Sequence, residues 1–163
     1  MTASASGRYV AVIGGYEVDD DTLRLAERLG RLLAERSVIV VTGGRSGVSE
    51  AVSKGAFEAG GATIGILPGR DRAEANPWLT AAVATGLGET RNALVAMNGE
   101  VVVAFDGAYG TLSELAFALL DGKPVVGLGT WDLPDRGPAE IGIVNVHSPE
   151  DAAEAVIALL NRT

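Results

Sequence analysis

The feature that most constrains this chain is how its apolar runs end. Tyr9-Val10-Ala11-Val12-Ile13 stops at Gly14-Gly15, Val38-Ile39-Val40-Val41 stops at Thr42-Gly43-Gly44, and Val101-Val102-Val103-Ala104-Phe105 stops at Asp106-Gly107. Runs this short, continuous and rich in β-branched residues suit strands buried on both faces. Helical periodicity follows them. After Asp19-Asp20-Asp21, Leu23, Ala26, Leu29, Leu32 and Leu33 fall on one helical face; Val48, Ala51, Val52 and Ala59 mark a second helix, closed by Gly60-Gly61.

Ala62 to Leu67, Thr80 to Thr85, Val125 to Leu128 and Ile143 to Val146 read as further strands. Helices are expected from about Glu89 to Met97, after Gly107-Ala108-Tyr109-Gly110 to about Leu120, and after Ser148, with serine as N-cap and Pro149 at the first helical position. Alternation of this kind predicts an α/β chain, a single Rossmann-like domain over residues 1–163 whose mostly parallel sheet carries helices on both faces. Residues 1–7 are expected to be a flexible N-terminus, and Gly129 to Glu140, with Pro134 and Pro138, a surface loop.

Composition removes several chemistries. With 163 residues the chain fits one domain and can bury a sizeable core unaided. It has no cysteine, hence no thiolate nucleophile and no Cys-type zinc site. His147 is its single histidine, so a site built on two or three histidines in one subunit is excluded, and no metal is expected. A net charge of −8 argues against nucleic acid, which calls for a basic stripe. The small polar start, Met1 to Gly7, has no secretory h-region, and no apolar run approaches a membrane span. A cytoplasmic protein is expected, with no membrane partner.

Small anions remain accessible to an acidic chain through local backbone N–H groups. In folds of this class ligands sit beyond the carboxyl ends of the strands. Three glycine-rich turns fall there: Gly14-Gly15, Gly43-Gly44 with Gly47, and Gly107 with Gly110. Any one of them is explained as a tight turn, but together they point to a phosphorylated ligand. Neither G-x-G-x-x-G after the first strand nor G-K-[ST] occurs.

Other candidates carry two readings each. Thr111-Leu112-Ser113-Glu114 has capping-box spacing, while Glu114 beside a phosphate site can reach a ribose. Arg91 falls in the first turn of its expected helix, where a cation opposes the dipole unless an anionic ligand or Glu114 compensates; the alternative is a solvated arginine. His147 reads as a loop residue and Asp19 to Asp21 as a solvated helix start, with Mg²⁺ the competing idea. Trp78 and Trp131 suit stacking on a flat heterocycle or packing over the sheet edge.

Gly107-Ala108-Tyr109-Gly110-Thr111-Leu112-Ser113-Glu114 resembles the G-G-x-G-T-x-x-E motif of the LOG-like (SLOG) superfamily, often labelled "possible lysine decarboxylase". Arg91-Asn92 resembles its R-K or R-N element, and Gly43-Gly44-Arg45-Ser46-Gly47-Val48 its first glycine-rich helix start. The resemblance runs from about Arg8 to the last helix. Ala75-Asn76-Pro77-Trp78-Leu79-Thr80 and Thr90-Arg91-Asn92 look closer to the molybdenum cofactor carrier-like branch.

That branch implies binding of a phosphorylated pterin, with molybdenum cofactor as bound ligand and no cofactor required for catalysis. Gly14, Gly15, Gly43, Gly44, Arg45, Gly47, Arg91, Asn92, Gly107, Gly110, Thr111 and Glu114 are then the ligand- and phosphate-binding candidates. The LOG branch implies a phosphoribohydrolase that cuts nucleoside 5′-monophosphates to free base and ribose 5-phosphate, with Arg91 and Glu114 catalytic. Asp106-Gly107-Ala108 in place of P-G-G, and Asn92 in place of lysine, depart from the enzyme pattern, and Asp106 adds negative charge near the phosphate turn. The resemblance also implies a homodimer or larger homo-oligomer. Lysine decarboxylation needs a Schiff-base lysine; only Lys54 and Lys123 exist, neither at a strand's carboxyl end, so that label is rejected.

Overall fold

Every strand in the sheet runs parallel to its neighbours. The computed structural model describes residues 7–134 and 142–162. Its elements are β1 (Arg8–Ile13), α1 (Asp20–Glu35), β2 (Val38–Thr42), α2 (Val48–Glu58), β3 (Thr63–Leu67), β4 (Ala81–Ala84), α3 (Asn92–Met97), β5 (Val101–Phe105), α4 (Tyr109–Leu120), β6 (Val125–Leu128), β7 (Ile143–Asn145) and α5 (Pro149–Leu160). The strand order is β4-β3-β2-β1-β5-β6-β7, and all six pairings are parallel, beyond the mostly parallel sheet expected. The expected flexible start (1–6 of it) and the loop tail at 135–141 lie outside the described residues.

Alternation along the central strands divides the core into two layers. Val10, Val12, Val40, Val101 and Val103 pack with Leu29 and Leu33 of α1, Val52 of α2 and Val156 of α5. Ala11, Ile13, Val41, Val102 and Ala104 pack instead with Val95 and Ala96 of α3 and Leu115 and Ala118 of α4. Helices therefore cover both faces of one α/β domain. All of β5 is buried, which is why its sequence shows no polar alternation.

The helix starts follow local chemistry. Asp19 Oδ1 accepts from the Thr22 N–H at 2.7 Å, with Asp20 and Asp21 in the first turn of α1. Ser148 Oγ accepts from the Asp151 N–H at 3.1 Å and Pro149 opens α5, as the serine-proline pair predicts. Two expectations need correction. The helix read from Glu89 begins as a 3-10 turn over Gly88–Arg91, so Arg91 precedes α3 and is not in its first turn. The capping-box reading of Thr111 to Glu114 also fails, because the N-cap of α4 is Ala108, three residues before Thr111. Thr111 and Glu114 lie inside that helix, both facing inward.

Chain order reverses direction at β1, which has β2 on one side and β5 on the other. The carboxyl end of β1 is thus the switch point where a ligand crevice is expected.

Candidate functional site

A cavity of about 500 Å³ opens at that switch point. Its walls are the turn after β1 (Gly14, Gly15), the turn after β2 (Gly43, Arg45), the start of α3 (Arg91, Asn92) and the start of α4 (Gly110, Thr111, Glu114). Nine of the twelve sequence candidates are therefore brought together.

Gly44, Gly47 and Gly107 stand behind the wall and shape it. The Gly44 N–H donates to Thr42 Oγ1 at 3.0 Å, and its carbonyl accepts from the Asn76 N–H at 2.9 Å. Gly47 has φ +70°, and a Cβ there would lie 2.3 Å from the Gly15 carbonyl oxygen, so only glycine lets the β1 and β2 turns touch. The Gly107 N–H donates to its neighbour's carboxylate, Asp106 Oδ1, at 2.8 Å, while the Asp106 carbonyl accepts from the Gly15 N–H at 2.8 Å.

Arg91 is the centre of the arrangement. It is 8% exposed, and its guanidinium lies against Gly43, where a Cβ would come 2.8 Å from Nη1. Nη1 stands 3.5 Å from Glu114 Oε1, and Nε has no hydrogen-bond partner among the described residues. Arginine stays charged in proteins, so a buried guanidinium with an unsatisfied donor favours any anion that reaches it. Glu114 stands beside it, one of the two partners expected from sequence. The solvated-arginine alternative does not hold.

Glu114 is 7% exposed. Burial pushes its carboxyl up to about 8, against the downward pull of Arg91 and with a smaller upward push from Glu89. Burial also lowers Arg91 from its ordinary value, opposed by Glu114. Near neutral pH the acid holds its proton, leaving a neutral donor beside a cation. Asn92 braces the pair from α3: its Nδ2 donates to Ser113 Oγ at 2.9 Å and to the Gly110 carbonyl at 3.4 Å, fixing the first turn of α4.

Of the helices that start at the cavity, α2 and α4 lack a side-chain cap. The N-cap of α4 is Ala108 and that of α2 is Gly47, and neither helix start receives a side-chain hydrogen bond. The first N–H of α2, at Val48, donates to the Gly15 carbonyl at 3.0 Å, and the other N–H groups of the two first turns suit an anion. Tyr16, Glu17, Ser46, Ser49, Glu89 and Ala108 line the same cavity and were not singled out from sequence. Their signal was position alone, since most immediately follow a strand or precede a helix at the sheet's carboxyl edge.

The remaining candidates fall elsewhere. His147 is exposed and outside the cavity wall. Trp78 packs edge-on against Phe57 with ring centroids 5.9 Å apart. Trp131 lies over the β5 turn, where its Nε1 donates to the Gly107 carbonyl at 2.9 Å and its ring stacks on Tyr109 at 6.3 Å. Among the described residues no group of three or more His, Cys, Asp or Glu is placed to hold a metal ion, and no helix is long and apolar enough to cross a membrane.

Comparison with known proteins agrees with this fold. Residues 7–156 match the SLOG cluster4 family. The molybdenum cofactor binding protein of the phototrophic bacterium Rippkaea orientalis is 34% identical, with a TM-score of 0.88 over 96% of this chain and 99% of that one. The molybdenum cofactor carrier protein of Chlamydomonas reinhardtii is 35% identical, with a TM-score of 0.84 over 95% of this chain and 99% of that one. A probable cytokinin riboside 5′-monophosphate phosphoribohydrolase of Oryza sativa subsp. japonica is 30% identical over 135 residues, 81% of this chain but 51% of that protein. The chain belongs to the SLOG cluster4 family.

Proposed function

We propose that this SLOG cluster4 protein binds a phosphorylated, nucleotide-like heterocycle, in its sharpest form molybdenum cofactor, and carries it without turnover. One observation supports this above others: the buried Arg91 guanidinium, with Nε unpartnered, lines a cavity beside the uncapped start of α4. A phosphate there gains charge-assisted bonds from Arg91 and backbone N–H groups at Gly110 and Thr111. A protonated Glu114 adds a donor for a carbonyl or ring nitrogen. The likeness to the molybdenum cofactor proteins of Rippkaea and Chlamydomonas supports the pterin form of the ligand. Binding needs no catalytic cofactor.

Hydrolysis of nucleoside 5′-monophosphates is the second reading, favoured by the Arg91–Glu114 pair and by the likeness to the rice phosphoribohydrolase. Glycosidic cleavage builds positive charge on the ribose, which an ionised carboxylate stabilises. A Glu114 that keeps its proton to about 8 is poorly prepared for that role near neutral pH. The readings separate in one assay: AMP and other monophosphates are incubated with concentrated protein, and free base is measured by chromatography. Binding without base release is the expected result. Release abolished by Glu114→Ala in a folded protein establishes the hydrolase instead, and its rate should then climb with pH towards 8.

Self-association and a cytoplasmic location belong to the same reading. Met97, Phe117 and Leu120 leave an apolar stretch exposed on α3 and α4, which supports a homodimer or larger assembly. Light scattering that reports a 16.7 kDa particle at micromolar concentration contradicts the assembly.

A further inference from the structure

We infer that the cavity takes a ligand with two separate anionic groups, one at the start of α4 and a second at the start of α2. The inference rests on the phosphate-binding reading above. β2 and β5 lie on opposite sides of β1, so their ends are two strand spacings apart, about 10 Å. The helices that follow them, α2 and α4, begin within a few residues of those ends and open on one cavity. Neither start has a side-chain cap, and at α2 only the first N–H, that of Val48, is taken by a backbone carbonyl, Gly15 at 3.0 Å, which leaves the Ser49 and Glu50 N–H groups for the second anion. One phosphate group is too small to meet both.

Arg91 stands between the two. Its Nη1 sits 2.8 Å from where a Gly43 Cβ would be, at the turn that leads into α2, and 3.5 Å from Glu114 of α4. It is 8% exposed and its Nε lacks a partner, so the cation that joins the two helix starts is itself built in and unsatisfied. Arg45 adds a second cation to the wall on the α2 side. The exposed carboxylates of Glu17, which follows the intervening β1, and of Glu89 also line the cavity. Carboxylates there repel a continuous polyphosphate and accept hydroxyl hydrogens. The matching ligand has anionic groups at two ends and a neutral, hydroxyl-bearing middle.

Titration calorimetry of the full chain with AMP, ADP and adenosine 3′,5′-bisphosphate tests this. The bisphosphate should bind at least about tenfold more tightly than AMP, and ADP should gain less than about threefold, because its second phosphate adjoins the first. Arg45→Ala should collapse the bisphosphate-to-AMP ratio to about one, whereas Arg91→Ala should weaken both. Equal affinity for AMP and bisphosphate, or a ratio unchanged by Arg45→Ala, overturns the two-anion inference while leaving the phosphate site standing. Failure of all three nucleotides to bind overturns the nucleotide-like reading, and this inference with it.

Discussion

Arg91 Nη1 and Glu114 Oε1 lie 3.5 Å apart, in a wall where each residue is more than nine-tenths buried. They come from different elements, the 3-10 turn before α3 and the second turn of α4, and they meet only because the sheet's carboxyl edge brings those elements together. A guanidinium buried beside a carboxyl that keeps its proton is seldom a net source of stability, since no countercharge offsets the desolvation of the cation. The presence of the pair is better explained by what it prepares: a cation with a spare donor and a carboxyl that keeps its proton.

The proton on Glu114 makes stability depend on pH in a definite direction. Unfolded, this carboxyl loses its proton near 4.5; folded, it keeps it to about 8. Between those values the folded chain binds more protons than the unfolded one, so the contribution of Glu114 is complete below 4.5 and declines as pH rises to about 8. Glu114→Gln cannot ionise. Its Tm relative to the parent should therefore rise across that window, by at least about 1 kcal/mol or roughly 2–4 °C. A Tm difference that is flat from pH 4.5 to 8 contradicts the account.

Gly43→Ala separates binding from folding. The added methyl meets the Arg91 guanidinium, which is the far end of a flexible side chain, not backbone. Stability should change by less than about 1 kcal/mol. Affinity for a phosphorylated ligand should fall about tenfold or more, because the guanidinium must leave its seat. Unchanged affinity by calorimetry would remove Arg91 from the binding site.

Gly47→Ala should do the reverse and damage the fold. Its φ of +70° disfavours any side chain, and its Cβ would strike the backbone of Gly15 and Tyr16 at 2.3 and 2.4 Å. A loss of at least about 2 kcal/mol is expected from chemical denaturation. A variant as stable as the parent shows that the β1 and β2 turns do not pack as described.

Trp131→Phe keeps an aromatic ring, though a smaller one, and deletes the donor that satisfies the Gly107 carbonyl. About 1 kcal/mol of stability should be lost. No loss in a denaturant titration means that Trp131 does not hold the β5 turn.

Much of this arrangement was legible in the sequence, for physical reasons. β1, β2 and β5 announce themselves because strands buried on both faces must be apolar throughout, and Ser148-Pro149 announces α5 because both residues satisfy its first turn. The start of α4 was misread because Ala108 supplies only an extended backbone, with no side-chain cap to recognise. The burial of Arg91 was not legible, since it depends on a missing Cβ at Gly43, far away in the chain. Glu17, Ser46, Ser49 and Glu89 reach the cavity only through the folding of separate turns, and no local pattern marks them.

The central claim is that the Arg91–Glu114 cavity holds a phosphorylated heterocycle, and one measurement reaches it directly. The protein and its Arg91→Ala variant are purified from a host that makes molybdopterin, and released ligand is oxidised and read by pterin fluorescence. The account predicts fluorescence close to stoichiometric with the parent chain and lost in a folded Arg91→Ala. Parent protein that carries no pterin and takes up none when cofactor is supplied, or a variant that retains as much as the parent, contradicts it.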